Sequence, residues 1–148
     1  MSLRFNYRAV NEQAFRTMMT LEQYGGGRIK DKVLYELVKI RVSQINGCAF
    51  CLDMHAKDLM KLGDYADHIL LLSAWHEVPL FTEKEKALLE LAETVTLISQ
   101  AGVPAALYDK VMEHISQEEF VDWIMVINTI NNWNRIAIST GMYPGCFN

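Results

Sequence analysis

The sequence predicts an all-α protein. Apolar residues recur near a 3.6-residue period in one run after another. These runs open or close on helix-capping signals, and no segment of clean alternating polarity suggests a strand. The chain has 148 residues, 51% of them apolar and 22% charged, with three Pro and eight Gly. That composition excludes disorder and low complexity. A chain this long buries roughly 68–70% of its unfolded surface, so one core suffices without staples. No composition break, linker or repeat divides it, and residues 1–148 read as one bundle-like domain of six to seven helices.

The elements follow in order. An N-terminal helix is expected over residues 11–24, closed by Gly25–Gly26–Gly27. Val33, Leu34, Leu37, Val38, Ile40, Val42 and Ile45 repeat at helical spacing behind Asp31 as N-cap, and Asn46–Gly47 interrupts them with a turn. A further helix is expected over residues 48–62, stopping at Gly63, then a short apolar one over 65–75. Thr82 and Glu85 form a capping box ahead of Ala87, Leu88, Leu91 and Val95. Gly102 is expected to end that helix, and Pro104 to open the next. Ser116 and Glu119 form a second capping box, starting a long helix to about Ser139. This last helix is apolar around much of its circumference, which suits either a central core helix or burial against a partner subunit.

Charge and length exclude several functions. Fourteen Lys+Arg against eighteen Asp+Glu give a net charge of −4, which argues against nucleic acid or an anionic membrane as partner. Apolar runs such as residues 123–127 fall far short of the ~20 residues a membrane span needs. Residues 1–8 carry no hydrophobic signal core, so a cytoplasmic location is expected. Three cysteines are too few for a disulfide framework.

The chemistry concentrates in Cys48–Ala49–Phe50–Cys51, followed by His55. On a helix, positions 48, 51 and 55 lie within about 60° of one another and share a face. Asn46–Gly47 puts the pair in the first turn of a new helix, where free N–H groups and the macrodipole favour an anion. Thiols at such positions in C-x-x-C motifs have pKa values lowered from ~8.5 to roughly 3.5–7.5. Glu36 can be placed by counting. If the flanking helices fold back at Asn46–Gly47, Glu36 and His55 differ in height by roughly 3 Å, within side-chain reach. A carboxylate there would orient the imidazole and raise its basicity. A solvated Glu36 is the alternative.

The stretch from Glu36 through Asn46–Gly47–Cys48–Ala49–Phe50–Cys51–Leu52–Asp53–Met54–His55 resembles the core of the alkylhydroperoxidase AhpD-like branch of the carboxymuconolactone decarboxylase family. The likeness continues in Trp75–His76–Glu77, residues 81–87, residues 91–96 and Asn132–Trp133–Asn134–Arg135. The resemblance implies an all-α AhpD-like fold assembling into trimers, hexamers or related homo-oligomers. It also implies an enzyme that reduces peroxides or disulfides without a cofactor or metal. Cys51 would be the peroxidatic cysteine, Cys48 the resolving one, and His55 with Glu36 the proton relay. The substrate would be an organic hydroperoxide and the electron source an external dithiol. Well-studied relatives carry a His just before the second cysteine, where this sequence has Phe50. Other branches lack the cysteine pair and are decarboxylases.

Three alternatives remain open. A CxxC followed by His is partway to a structural zinc site, with His68, Cys146 or Glu36 as fourth ligand, although no second local pair completes it. The cysteines could instead pack in the core of a non-catalytic or redox-sensing oligomer. A general protein-disulfide reductase is the third. Cys146 reads as a free thiol near the end, and His68 as a structural histidine. Asp53, about 140° around the helix from Cys48, should face away from the thiols. Trp75 and Trp133 would wall the site or simply pack, and Asn134 and Arg135 are expected at a subunit interface or in solvent.

Overall fold

The computed structural model describes residues 2–148, and every regular element among them is helical. The order is α1 (Tyr7–Val10), α2 (Glu12–Arg28), α3 (Lys32–Asn46), α4 (Ala49–Met60), α5 (Ala66–Leu71), α6 (Glu83–Thr96), α7 (Ile98–Ala101), α8 (Ala105–Met112) and α9 (Gln117–Thr140). A 3₁₀ segment, Leu72–Glu77, follows α5 and is itself kinked at Ala74. All seven expected helices are present. The count exceeds six to seven because two single turns are set apart by cap residues. Asn11, with φ −143° and ψ 81°, closes α1 and caps α2. Leu97, with φ −101° and ψ 37°, divides α7 from α6. Gly102 therefore ends α7 rather than α6.

The capping signals act as expected. Asp31 Oδ1 accepts the Leu34 N–H, and both capping boxes close reciprocally. The glycine run does not act as expected: α2 continues through Gly25–Gly26–Gly27 to Arg28. A Cβ on Gly25 would stand 2.9 Å from Val126 Cγ2, so its bareness serves the close approach of α2 to α9 rather than a helix stop.

Helix α3 is the axis of the molecule, packed on α4, α6 and α9. One face sends Leu34, Val38 and Val42 into a core shared with Leu88, Leu91, Trp123, Ile127 and Ile130. The opposite face sends Leu37 and Ile40 into a second core with Leu59, Leu72, Trp75, Phe81 and Leu89. Burying each such side chain contributes about 1.5–3 kcal/mol, which explains a helix apolar on two sides. Helix α9 packs on α2, α3, α4 and α6, so its wide apolar surface is largely used within one chain. Val121 on α9 and Leu70 on α5 stay exposed. No helix among the described residues is long and apolar enough to cross a membrane.

Two local devices position the site. Gly47 ends α3 in the left-handed region (φ 71°), and the Cys48 N–H returns to Ser43 O at 3.0 Å, so α4 folds back along α3. The N-terminal segment is fastened to the end of α9 by Arg4, whose backbone N–H donates to Thr140 O and whose guanidinium donates to Ser139 O, both at 2.9 Å.

Candidate active site

Cys48 is the N-cap of α4, one position before the helix begins. Its Sγ accepts the Cys51 N–H at 3.4 Å. Both cysteines are unbridged and only 1% exposed. The hydrogen bond from the Cys51 thiol lowers the Cys48 pKa to about 7. Backbone N–H groups and the Asn134 amide assist against the opposing effect of burial. The same bond, and burial, push the Cys51 thiol well up. The reduced pair therefore holds its charge on Cys48 and its proton on Cys51. In Cys146→Ser protein, thiolate absorbance near 240 nm is expected to rise by one equivalent with a midpoint near pH 7, the second thiol staying protonated into the alkaline range. Two thiols titrating together with an ordinary pKa would contradict this charge distribution.

The counting argument for Glu36 holds. His55 Nδ1 lies 3.0 Å from Glu36 Oε2, and both side chains are buried. Lys39 adds a cation one turn along α3, with Nζ 3.3 Å from Glu36 Oε1 and 3.3 Å from Glu22 Oε1. Its ammonium also sits 3.9 Å over the Tyr35 ring. Glu22 accepts further bonds from Trp133 Nε1 at 2.9 Å and Tyr35 OH at 3.3 Å. Burial pushes the Glu36 carboxyl upward, but the His55 hydrogen bond and the Lys39 charge outweigh it and hold the group below its ordinary value. Glu22 is likewise held low against its burial, chiefly by Lys39 and Trp133. An ionised Glu36 accepts a hydrogen bond from Nδ1–H, so the neutral form of the imidazole presents Nε2 as an acceptor. Nε2 is buried and has no hydrogen-bond partner among the described residues.

These groups meet at a cavity of about 550 Å³. Cys51, His55, Glu36, Lys39 and Glu22 line its polar part. Phe15, Met19, Phe50, Met54, Trp133 and Met142 line the rest, and Tyr7 and Arg8 border it. Cys48 lies behind Cys51 and does not line the cavity. A mostly apolar pocket with a few convergent polar groups is the usual form of a small-molecule site.

Residues 12–94, more than half of the chain, match the profile of the carboxymuconolactone decarboxylase family. The chain belongs to this family. It is 45% identical over 141 residues to the uncharacterized protein YdfG of Bacillus subtilis, covering 95% of this chain and 96% of that one. A crystal structure from Agrobacterium tumefaciens, of a protein of unknown function provisionally described as the antioxidant defence protein AhpD, superposes with a TM-score of 0.93. That pair is 39% identical and the match covers 97% of this chain and 99% of that one. The structure of an uncharacterized peroxidase-related protein from Silicibacter sp. TM1040 has a TM-score of 0.80 at 21% identity, covering 93% and 73%, a likeness of fold alone. Among proteins of the carboxymuconolactone decarboxylase family this one is AhpD-like.

The family match stops short of α9, which nevertheless contributes to the site. Asn134 is wholly buried, neither at the surface nor in solvent. Its Oδ1 accepts from Asn46 Nδ2 at 2.9 Å and its Nδ2 donates to Ser43 Oγ at 3.0 Å, beside the thiols. Trp133 lines the cavity, whereas Trp75 belongs to the opposite core and donates to Glu93 at 2.7 Å. His68 packs edge-on between Tyr65 and Phe81. Cys146 is unbridged and half-buried, and Asp53 pairs with Lys57 away from the thiols. Neither thiol gathers metal ligands: among the described residues, the side chains with ligand atoms within 4.8 Å of one another are Glu36, His55 and Asp58. Lys39 against Glu36 competes with a cation there. Lys39, Glu22 and Tyr7 were not singled out from the sequence. Only Lys39 carries a local signal, as a cation between Val38 and Ile40 on a helix otherwise buried.

Proposed function

We propose that this protein is a thiol-dependent peroxidase that reduces organic hydroperoxides, with Cys51 peroxidatic, Cys48 resolving, and His55 and Glu36 moving the proton. The observation that carries the reading is that Cys51 and an imidazole backed by a carboxylate at 3.0 Å line one largely apolar cavity. The provisional description of the Agrobacterium protein as an antioxidant defence protein points the same way. In the proposed cycle His55 Nε2 takes the Cys51 proton, and the sulfur attacks the outer peroxide oxygen. The O–O bond breaks, the alkoxide leaves with the proton from Nε2, and Cys51 becomes a sulfenic acid. Cys48, already a thiolate near neutral pH, attacks that sulfur and expels hydroxide, which is protonated to water. An external dithiol then reduces the disulfide.

Phe50 stands where studied relatives have a second relay histidine, so proton transfer rests on His55 with Glu36 behind it. It packs edge-on against Phe147 at 6.1 Å and adds apolar surface to the cavity. Burial of both sulfurs favours small substrates over protein disulfides. On the same proposal the protein works in the reducing cytoplasm as a trimer or hexamer, with exposed Leu70 and Val121 available for subunit contacts. The test is a peroxide challenge of fully reduced protein. One equivalent of cumene hydroperoxide is expected to consume two of the three thiols within seconds and yield a Cys48–Cys51 disulfide. Slow oxidation, alongside rapid reduction of small disulfides, would replace the peroxidase reading with a disulfide reductase.

A further inference from the structure

The cavity contains a hydroxyl that the cycle above does not use. Tyr7 opens α1, is 6% exposed, and lines the same cavity as Cys51 and His55. Its OH and His55 Nε2 are the two buried side-chain polar atoms without a hydrogen-bond partner among the described residues. Buried hydroxyls are nearly always paired, and an exception calls for an explanation such as a catalytic role. Two such atoms, on residues that line one cavity together with Cys51, point to a ligand site rather than two packing faults.

The Tyr7 ring is held firmly. It stands edge-on to Phe15 at 6.0 Å and to Trp133 at 6.4 Å. Asn6 caps the turn by accepting the Arg8 N–H at 3.1 Å, and the Arg4 bond to Thr140 fixes the segment before it. The Arg8 guanidinium lies 6.0 Å from the ring centre, near enough to act on the hydroxyl's pKa but outside ordinary hydrogen-bond geometry to it. Burial raises the phenol pKa, and Arg8 opposes it through a polar contact and its charge. The phenol is thus an O–H donor at neutral pH, near enough to Cys51 for a thiolate formed there to raise its pKa further.

We propose that Tyr7 is a peroxide-binding catalytic residue, donating its O–H to a peroxide oxygen while His55 Nε2 faces the reacting thiol. This assignment rests on the peroxidase reading. A hydroperoxide carries two accepting oxygens and one proton, and the cavity offers one fixed donor and one fixed acceptor. As the O–O bond breaks, negative charge grows on the oxygen that leaves with the alkyl group. A donor held in place on that wall would stabilise this charge with little reorganisation.

The test uses Tyr7→Phe, which keeps the ring and removes only the orphaned hydroxyl, so the fold is expected to stand. Reduced wild type and variant are mixed with cumene hydroperoxide in a stopped-flow instrument. Iodoacetamide alkylation of the same samples serves as the control for thiol reactivity and correct folding. The peroxide rate constant is expected to fall roughly 100-fold, with the alkylation rate unchanged. Equal peroxide rates in the two proteins would overturn the assignment and leave the peroxidase reading in place. Parallel loss of both rates would also overturn it, because the hydroxyl would then act on the thiols rather than on the peroxide. A wild type inert to peroxide would overturn the peroxidase reading and the Tyr7 assignment with it.

Discussion

Cys51→Ser is expected to abolish peroxide reduction, by at least roughly 10³-fold, because a serine hydroxyl at neutral pH lacks the nucleophilicity of the thiol. Cys48→Ser is expected to lose turnover in a different way. It consumes one equivalent of hydroperoxide and stops at a Cys51 sulfenic acid, which dimedone traps. Both variants should fold. Ser at position 48 is a strong N-cap and can take over the bond from the Cys51 N–H. Cys51→Ser keeps a donor at this position, and a hydroxyl is a better one than a thiol, so the Cys48 thiolate midpoint should stay near or below pH 7. Undiminished steady-state peroxide turnover in either variant would defeat the proposed cycle. Sulfenic acid trapped on Cys48 instead of Cys51 would exchange the two roles.

Lys39→Met is expected to be the most destabilising exchange at the site, by about 3 kcal/mol at neutral pH. The ammonium is buried between Glu22 and Glu36 at 3.3 Å from each. Methionine fills the space but leaves two carboxylates without their shared cation. In the wild type both groups are held below the ordinary carboxylate value. Their contribution to stability is therefore present above the unfolded value, about 4.3, and is lost as pH falls through the depressed folded values. In the variant, burial is opposed only by the bonds from His55, Trp133 and Tyr35, so both carboxyls rise and tolerate acid better. The difference in urea midpoint between the two proteins should thus be widest near pH 7 and shrink toward pH 3.5. A difference independent of pH would mean that Lys39 acts through packing alone.

What could be read from the sequence was what local spacing determines. The capping boxes at Thr82 and Ser116, the Gly47 turn, and the meeting of Glu36 with His55 all follow from helical rise and cap chemistry within about twenty residues. Glu22, Tyr7 and Asn134 could not be read that way. They reach the site from α2, α1 and α9, through contacts as distant in sequence as the bond from Trp133 to Glu22. Asn134 looked like a surface residue because an asparagine carries no sign of burial until its partners, Asn46 and Ser43, are known. The glycine run misled because glycine serves both to end a helix and to let another pack closely, and Val126, which decides between these, lies a hundred residues away.

The atom that caps α4 is also the atom proposed to surrender its electron pair. A Cys48 thiolate receives the Cys51 N–H at the start of the helix, whereas a disulfide sulfur is a far poorer acceptor. The backbone therefore binds the reduced form more tightly than the oxidised one. By linkage that preference raises the reduction potential of the pair, every 30 mV corresponding to about 1.4 kcal/mol. On the proposed cycle, the helix start thus contributes to the potential at which the dithiol operates, and with it to the class of external dithiol able to recharge it.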